Sequence, residues 1–156
     1  MKRLIGMLIL ASLIGVIAGC KKDEGPSEPV IPPGTVNEVE PNDQTAQSLG
    51  ALGTTDITVN GGAATANDVD KFLVNLSAAS TNLRAEISWT GAGDLDVGIT
   101  DTSGTLVAFQ RTGANPERCI RPGLGPGRYT IYVSANSVAS QTAYPQVYAL
   151  KIGPRQ

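Results

Sequence analysis

Between residues 70 and 152, apolar side chains recur at every second position in short runs, a period that belongs to β-strands and not to helices. Phe72, Val74 and Leu76 alternate with Lys71, Leu73 and Asn75, and Leu83, Ala85, Ile87 and Trp89 alternate with Arg84, Glu86 and Ser88. Leu95, Val97 and Ile99 oppose Asp94, Asp96 and Gly98; Tyr129, Ile131 and Val133, then Tyr148, Leu150 and Ile152, repeat the pattern. The spacing predicts strands near 56–60, 70–76, 82–89, 94–100, 105–111, 117–121, 128–135 and 146–152. Asp101-Thr102-Ser103-Gly104 and the GLGPG run at 123–127 supply turn chemistry between them. About eight short strands with one apolar face each are satisfied when two sheets pack face to face. The expected fold class is therefore all-β, a two-sheet antiparallel β-sandwich of jelly-roll type. Thr45 to Leu49 is the one stretch expected to make a helical turn, and Trp89 is assigned to the core.

Upstream the pattern changes. Lys2 and Arg3 precede an apolar run from Leu4 to Ala18 that closes on small residues, as an export signal does. The run is short for a hydrocarbon core of ~30 Å, and Lys21, Lys22, Asp23 and Glu24 follow it at once. Ile17-Ala18-Gly19-Cys20 resembles the lipobox of bacterial lipoproteins. That resemblance implies acylation of Cys20 and a chain tethered to the lipid bilayer, each buried methylene adding roughly 0.8 kcal/mol. Lys21 stands where that family uses aspartate for inner-membrane retention, so the resemblance implies an outer-membrane or surface destination in the cell envelope. Residues 21–36, KKDEGPSEPVIPPGTV, are charged and proline-rich, with little that could build a core. They predict a semi-rigid spacer reaching roughly 50 Å at ~3.1 Å per residue. The expected organisation is a leader over 1–19, the acylated cysteine and spacer over 20–36, and one domain over 37–156.

Composition narrows the function. From Asn37 onward eight Lys and Arg face eleven Asp and Glu, a balance that argues against a nucleic-acid partner. With Cys20 acylated, Cys119 has no partner in the chain for a disulfide, so stability rests on the core. The chain has no histidine, which removes imidazole-dependent serine, cysteine and zinc chemistry. Asp94 and Asp96 are expected on the solvated face of their strand and not as a catalytic pair. The expectation is that the protein is not an enzyme.

Four segments, in order, resemble the bacterial pre-peptidase C-terminal domain, a small β-sandwich appended to many exported proteins. They are Glu40-Pro41-Asn42-Asp43, Asp68-Val69-Asp70-Lys71-Phe72, Asp94-Leu95-Asp96-Val97 and Gly127-Arg128-Tyr129-Thr130-Ile131-Tyr132-Val133. The resemblance covers residues 37–152 and implies a non-catalytic binding or accessory role; Lys71 departs from the family's pattern, and a catalytic partner is expected to be a separate polypeptide.

Ca²⁺ takes six to eight hard oxygens. Glu38, Glu40, Asn42 and Asp43 offer several from one extended segment, and Asn67, Asp68 and Asp70 offer more from the loop before the first core strand. The similarity to collagenase collagen-binding domains implies calcium at Glu38, Glu40, Asn42, Asp43, Asn67 and Asp70, with Asp68 an additional candidate. The plainer alternative is that Asn42 or Asp43 caps a turn while Asp68 and Asp70 are solvated loop residues. Tyr132, outward by alternation, Tyr144 before Pro145, and Arg121 are the candidate contacts for an extracellular protein or polysaccharide. Arg111, Arg118, Arg121 and Arg128 otherwise read as edge charges that discourage sheet-to-sheet aggregation. The alternative to a binding module is a structural envelope lipoprotein without a dissociable ligand.

Overall fold

A computed structural model describes residues 34–77, 81–135 and 143–154. The leader, Cys20 and the spacer up to residue 33 lie outside the described residues. Ten strands follow one another: β1 (Thr35–Asn37), β2 (Gln47–Ala51), β3 (Ile57–Ala63), β4 (Val69–Leu76), β5 (Thr81–Thr90), β6 (Leu95–Thr100), β7 (Leu106–Gln110), β8 (Glu117–Leu124), β9 (Gly127–Ala135) and β10 (Gln146–Pro154). They form two five-stranded sheets, ordered β1-β3-β10-β5-β8 and β2-β4-β9-β6-β7. Among the described residues no helix is long and apolar enough to cross a membrane.

The sandwich predicted from the two-residue period is present, and its inward files are the apolar ones. In β4 every second residue is buried, from Asp70 through Phe72 and Val74 to Leu76. Phe72, Leu95, Ile99, Ile131, Leu150 and Ile152 are fully buried, together with Leu49 and Ile57. Each such side chain contributes roughly 1.5–3 kcal/mol relative to exposure. Trp89 is buried as expected, and its indole N–H donates to Gly93 O at 2.7 Å, meeting the polar demand of its ring. Cys119 is buried too, and burial pushes its thiol up to about 12, so it packs as a small apolar residue and not as a nucleophile.

Two features depart from the alternation reading. The helical turn expected over Thr45–Leu49 is strand: β2 runs parallel to β4 with Gln47 opposite Phe72 and Ser48 opposite Leu73, and Leu49 is buried. A five-residue helix gains too little local stabilisation to compete with that edge pairing. The sheets are also mixed, because β1 pairs parallel with β3 as β2 does with β4, while every other pairing is antiparallel. Parallel pairing at both edges follows from the route of the chain. Residues 38–46 carry it from the first sheet to the second, across one end of the sandwich.

The Asp101 turn has the expected chemistry. Asp101 Oδ1 accepts from the backbone N–H groups of Ser103 and Thr105, both at 2.9 Å, and Gly104 takes φ 78°. The Ser103 hydroxyl donates to the same oxygen at 2.6 Å, and this bond, with the backbone bond from Thr105, holds the Asp101 carboxyl below the usual carboxylate range.

Candidate metal centre

The crossing segment between β1 and β2 is where the chain places its oxygens, and the fold holds that segment at several points. Glu38 N–H donates to Asn60 O at 2.9 Å, extending the β1–β3 ladder by one residue. Gln47 in β2 clamps the segment from the other side, accepting from Val39 N at 2.8 Å and donating to Asn37 O at 3.1 Å. The Lys71 ammonium, on the outward file of β4, donates to the carbonyl of Asp43. Lys71 thus anchors the segment by a backbone oxygen and leaves the Asp43 carboxylate available.

Four carboxylates meet here: Glu40, Asp43, Asp68 and Asp70 each bring an oxygen within 4.8 Å of the others. Asp68 comes from the turn before β4, where its carboxylate accepts from Ala64 N–H. Asp70 is the first inward residue of β4 and is 1 % exposed. Its burial is the price of lying in line with Phe72 and Val74. That burial, together with the charges of Glu38 and Asp68, pushes its carboxyl up to about 8 against the opposing pull of a hydrogen bond from Tyr148.

Glu38 and Asn42 form the wall of the site. Glu38 accepts from Asn42 Nδ2 at 2.7 Å, from Gly62 N at 2.8 Å and from the Tyr148 hydroxyl at 2.9 Å. The Asn42 backbone N–H donates to Glu40 at 2.8 Å. Asn67 is exposed in the turn, where its backbone N–H donates to Thr65 Oγ1 at 3.3 Å. Of the seven residues expected from sequence, the structure groups Glu40, Asp43, Asp68 and Asp70, sets Glu38 and Asn42 against them, and leaves Asn67 at the rim.

Tyr148 is the residue that sequence reasoning missed. Alternation placed it among the apolar residues of its strand, and it is indeed inward and 2 % exposed. Its hydroxyl lies 2.7 Å from Asp70 and 2.9 Å from Glu38. Burial and the two acids push its own titration upward, so the group stays a protonated donor. The available signal was the buried phenol itself, since a tyrosine on an inward file needs a partner for its O–H. Gly61 is a related requirement: a Cβ there would overlap the Tyr148 ring and stand 2.7 Å from Glu38.

The chemistry of this donor set fits a hard cation. Asp70 Oδ1 and Asn42 Oδ1 are buried with no hydrogen-bond partner. A buried oxygen left in that state costs on the order of 1–3 kcal/mol. A cation bound by oxygens alone would relieve both, and would neutralise four acids brought together beside a Lys71 ammonium that is engaged with a backbone carbonyl. These residues could hold a metal ion.

The other expected site residues do not come together. Tyr132 lies on the outer face of the β2-β4-β9-β6-β7 sheet, stacked with Phe109 at a centroid separation of 6.0 Å and an interplanar angle of 26°. Arg121 is exposed in β8, which belongs to the opposite sheet. Tyr144 is half-buried, and its hydroxyl donates to Asp94 O at 3.1 Å. Arg118 pairs with Glu86 and Arg111 with Asp96, so both neutralise neighbouring strands. Asp96, expected on a solvated face, is instead 4 % exposed. Arg111, from the chain following β7, lies over it with Nε 3.5 Å from its carboxylate.

No family model matches the chain, and no curated protein matches it. Solved structures do. The pre-peptidase C-terminal domain of a collagenase from Bacillus anthracis is 16 % identical, with a TM-score of 0.55 over 74 % of this chain and 99 % of that one. PliG, a periplasmic inhibitor of g-type lysozyme, from Aeromonas hydrophila is 11 % identical, with a TM-score of 0.45 over 78 % of this chain and 96 % of that one. PliG from Salmonella Typhimurium is 12 % identical, with a TM-score of 0.44 over 78 % of this chain and 97 % of that one. At these identities the likeness is one of fold, and the fold is that of a pre-peptidase C-terminal domain.

Proposed function

We propose that this chain, a sandwich of the pre-peptidase C-terminal type, is a non-catalytic binding or accessory module of the cell envelope. It is anchored in the bilayer by an acylated Cys20 and held at its entry by Ca²⁺. The observation that carries the calcium reading is the pair of buried, partnerless oxygens on Asp70, one of the four grouped carboxylates, and on Asn42, which is bonded to Glu40 and Glu38. An oxygen-only donor set of mixed carboxylate and amide type suits Ca²⁺ better than the softer transition metals. The ion would join the crossing segment, through Glu40 and Asp43, to β4, through Asp68 and Asp70. The place where the spacer enters the domain would then be stitched to both sheets.

Support for a non-catalytic role comes from the absence of histidine in the sequence and from an inert, buried Cys119. Recognition of a protein or polysaccharide is supported by the aromatic pair Phe109 and Tyr132, the former 42 % exposed on an open sheet face. The structural-lipoprotein reading is favoured by one observation: the Tyr144 hydroxyl is engaged with the backbone of Asp94 and is not free for a ligand.

Thermal melting of the full chain in millimolar Ca²⁺ and in chelator tests the metal reading. A midpoint that rises with Ca²⁺ concentration as binding linkage requires supports it, whereas coincident curves refute it. Incorporation of radiolabelled palmitate, abolished by Cys20→Ser, tests the anchor. A saturable interaction with envelope polysaccharide or a secreted protein, weakened by Tyr132→Ala, separates recognition from scaffolding.

A further inference from the structure

The outer face of the β2-β4-β9-β6-β7 sheet carries a surface that the metal centre does not use. Strand register sets Tyr132 beside Gly98 and Gly98 beside Phe109, so the three form one row across β9, β6 and β7. The missing side chain of Gly98 is what admits the phenol. A Cβ there would stand 2.2 Å from the Tyr132 ring carbon Cζ, so the ring lies across the backbone of β6. Phe109, 42 % exposed, stacks against it from the edge strand. A ring held between a backbone and a second ring is already ordered, and a ligand that lands on it does not have to order it.

The next row on the same face is polar. Leu73, Thr130 and Thr100 lie opposite one another across β4, β9 and β6, two residues along from the rings, which is roughly 7 Å. A hollow of about 340 Å³ opens there, lined by these three with Asp101 and Arg128. Asp101 is held still: the backbone N–H groups of Ser103 and Thr105 and the Ser103 hydroxyl all donate to Oδ1 and leave Oδ2 to other donors. Arg128 is exposed and has no ion pair among the described residues.

An aromatic platform beside fixed hydroxyls, a carboxylate and a guanidinium matches the two sides of a sugar. A pyranose with equatorial hydroxyls has a face of C–H bonds, whose partial positive charge suits the negative face of an aromatic ring. Its rim of hydroxyls suits Asp101 and Arg128, which offer charge-assisted bonds to it. A protein partner covers about 800 Å² a side around an apolar centre. Here the apolar part is two rings and Leu106, and hydroxyls interrupt it. We propose, resting on the reading of the chain as a binding module, that this face recognises a polysaccharide of β-linked pyranoses with equatorial hydroxyls. One sugar sits on Tyr132 and Phe109 and a neighbouring one in the hollow at Thr100 and Thr130. Equatorial linkages keep such a chain flat and extended, as two subsites on one sheet face require.

The full chain in detergent is titrated calorimetrically with cellohexaose, xylohexaose and chitohexaose, and with α-linked maltohexaose as the contrast. The expected result is saturable binding of one or more of the β-linked chains and none of maltohexaose. Tyr132→Ala should weaken it by about tenfold, and so should Gly98→Ala, which keeps the phenol but displaces its ring. Thr130→Val, which removes one hydroxyl and little volume, should weaken it by about fivefold. Val147→Ser, exposed on the opposite sheet, should leave it unchanged. No saturable binding of any β-linked chain overturns the proposal, and so does an affinity that Tyr132→Ala leaves unaltered. Equal binding of maltohexaose overturns the β-linked assignment. A secreted protein that binds in place of the sugars, and is weakened by Tyr132→Ala, overturns the proposal and leaves the binding-module reading standing; binding of neither removes both. If Gly98→Ala does not fold, Phe109→Ala takes its place under the same criterion.

Discussion

Tyr148→Phe removes one oxygen atom and leaves the ring, its contact with Gly61 and the β10 ladder in place. The hydroxyl stands 2.7 Å from Asp70 and 2.9 Å from Glu38 and is a protonated donor. Its loss withdraws the hydroxyl that these two acids share, worth about 1–3 kcal/mol, and leaves Asp70, whose Oδ1 already has no partner, without its Tyr148 donor. We expect a loss of about 2 kcal/mol in chelator, read as a fall in the denaturant midpoint with an unchanged slope. For a domain of this size that corresponds to a melting decrease on the order of 8 °C. In saturating Ca²⁺ the penalty should shrink, because the ion then satisfies the oxygens that the hydroxyl no longer reaches. A variant within about 0.5 kcal/mol of the native protein in chelator would show that Tyr148 only fills space, and the hydrogen-bond reasoning would fail.

Asp70 and Asp96, raised to about 8 and about 6 from an ordinary 3.8, hold protons in the folded state that the unfolded chain releases. Their contribution is full below about pH 4 and is lost as pH rises, through about 6 for Asp96 and about 8 for Asp70. Metal-free protein should therefore lose roughly 1.4 kcal/mol per pH unit between pH 6 and 8 from Asp70 alone; chemical denaturation in chelator that shows flat or rising stability across that interval would contradict the assignment. Gly98→Ala puts a methyl group where the Tyr132 ring lies, so the ring must leave its stack with Phe109 at a cost of about 1–3 kcal/mol. Equilibrium unfolding should show that loss, and Tyr132→Ala in the same chain should recover part of it; a neutral Gly98→Ala would mean that the ring is not held there.

The physical origin of each feature decides whether it could be read from the chain. Alternation is a local property, since side-chain direction in a strand reverses at every residue, and it located the main strands and most of the core from Phe72 to Ile152. It also marked Asp101-Thr102-Ser103-Gly104 as a turn, because that chemistry closes within four residues. The acids of the entry segment were visible as a run of oxygens with no cation between them. Pairing partners were not visible. Nothing near residue 47 shows that it lies beside Phe72, so the edge strand β2 read as a helical turn. Asp96 read as solvated because alternation gives the face and not what later folds over it. Tyr148 enters the acidic site from 110 residues beyond Glu38 and 78 beyond Asp70. Local period determined which side chains point inward. Only the packing of two sheets decided which inward oxygens meet, because that depends on contacts that no short window of sequence contains.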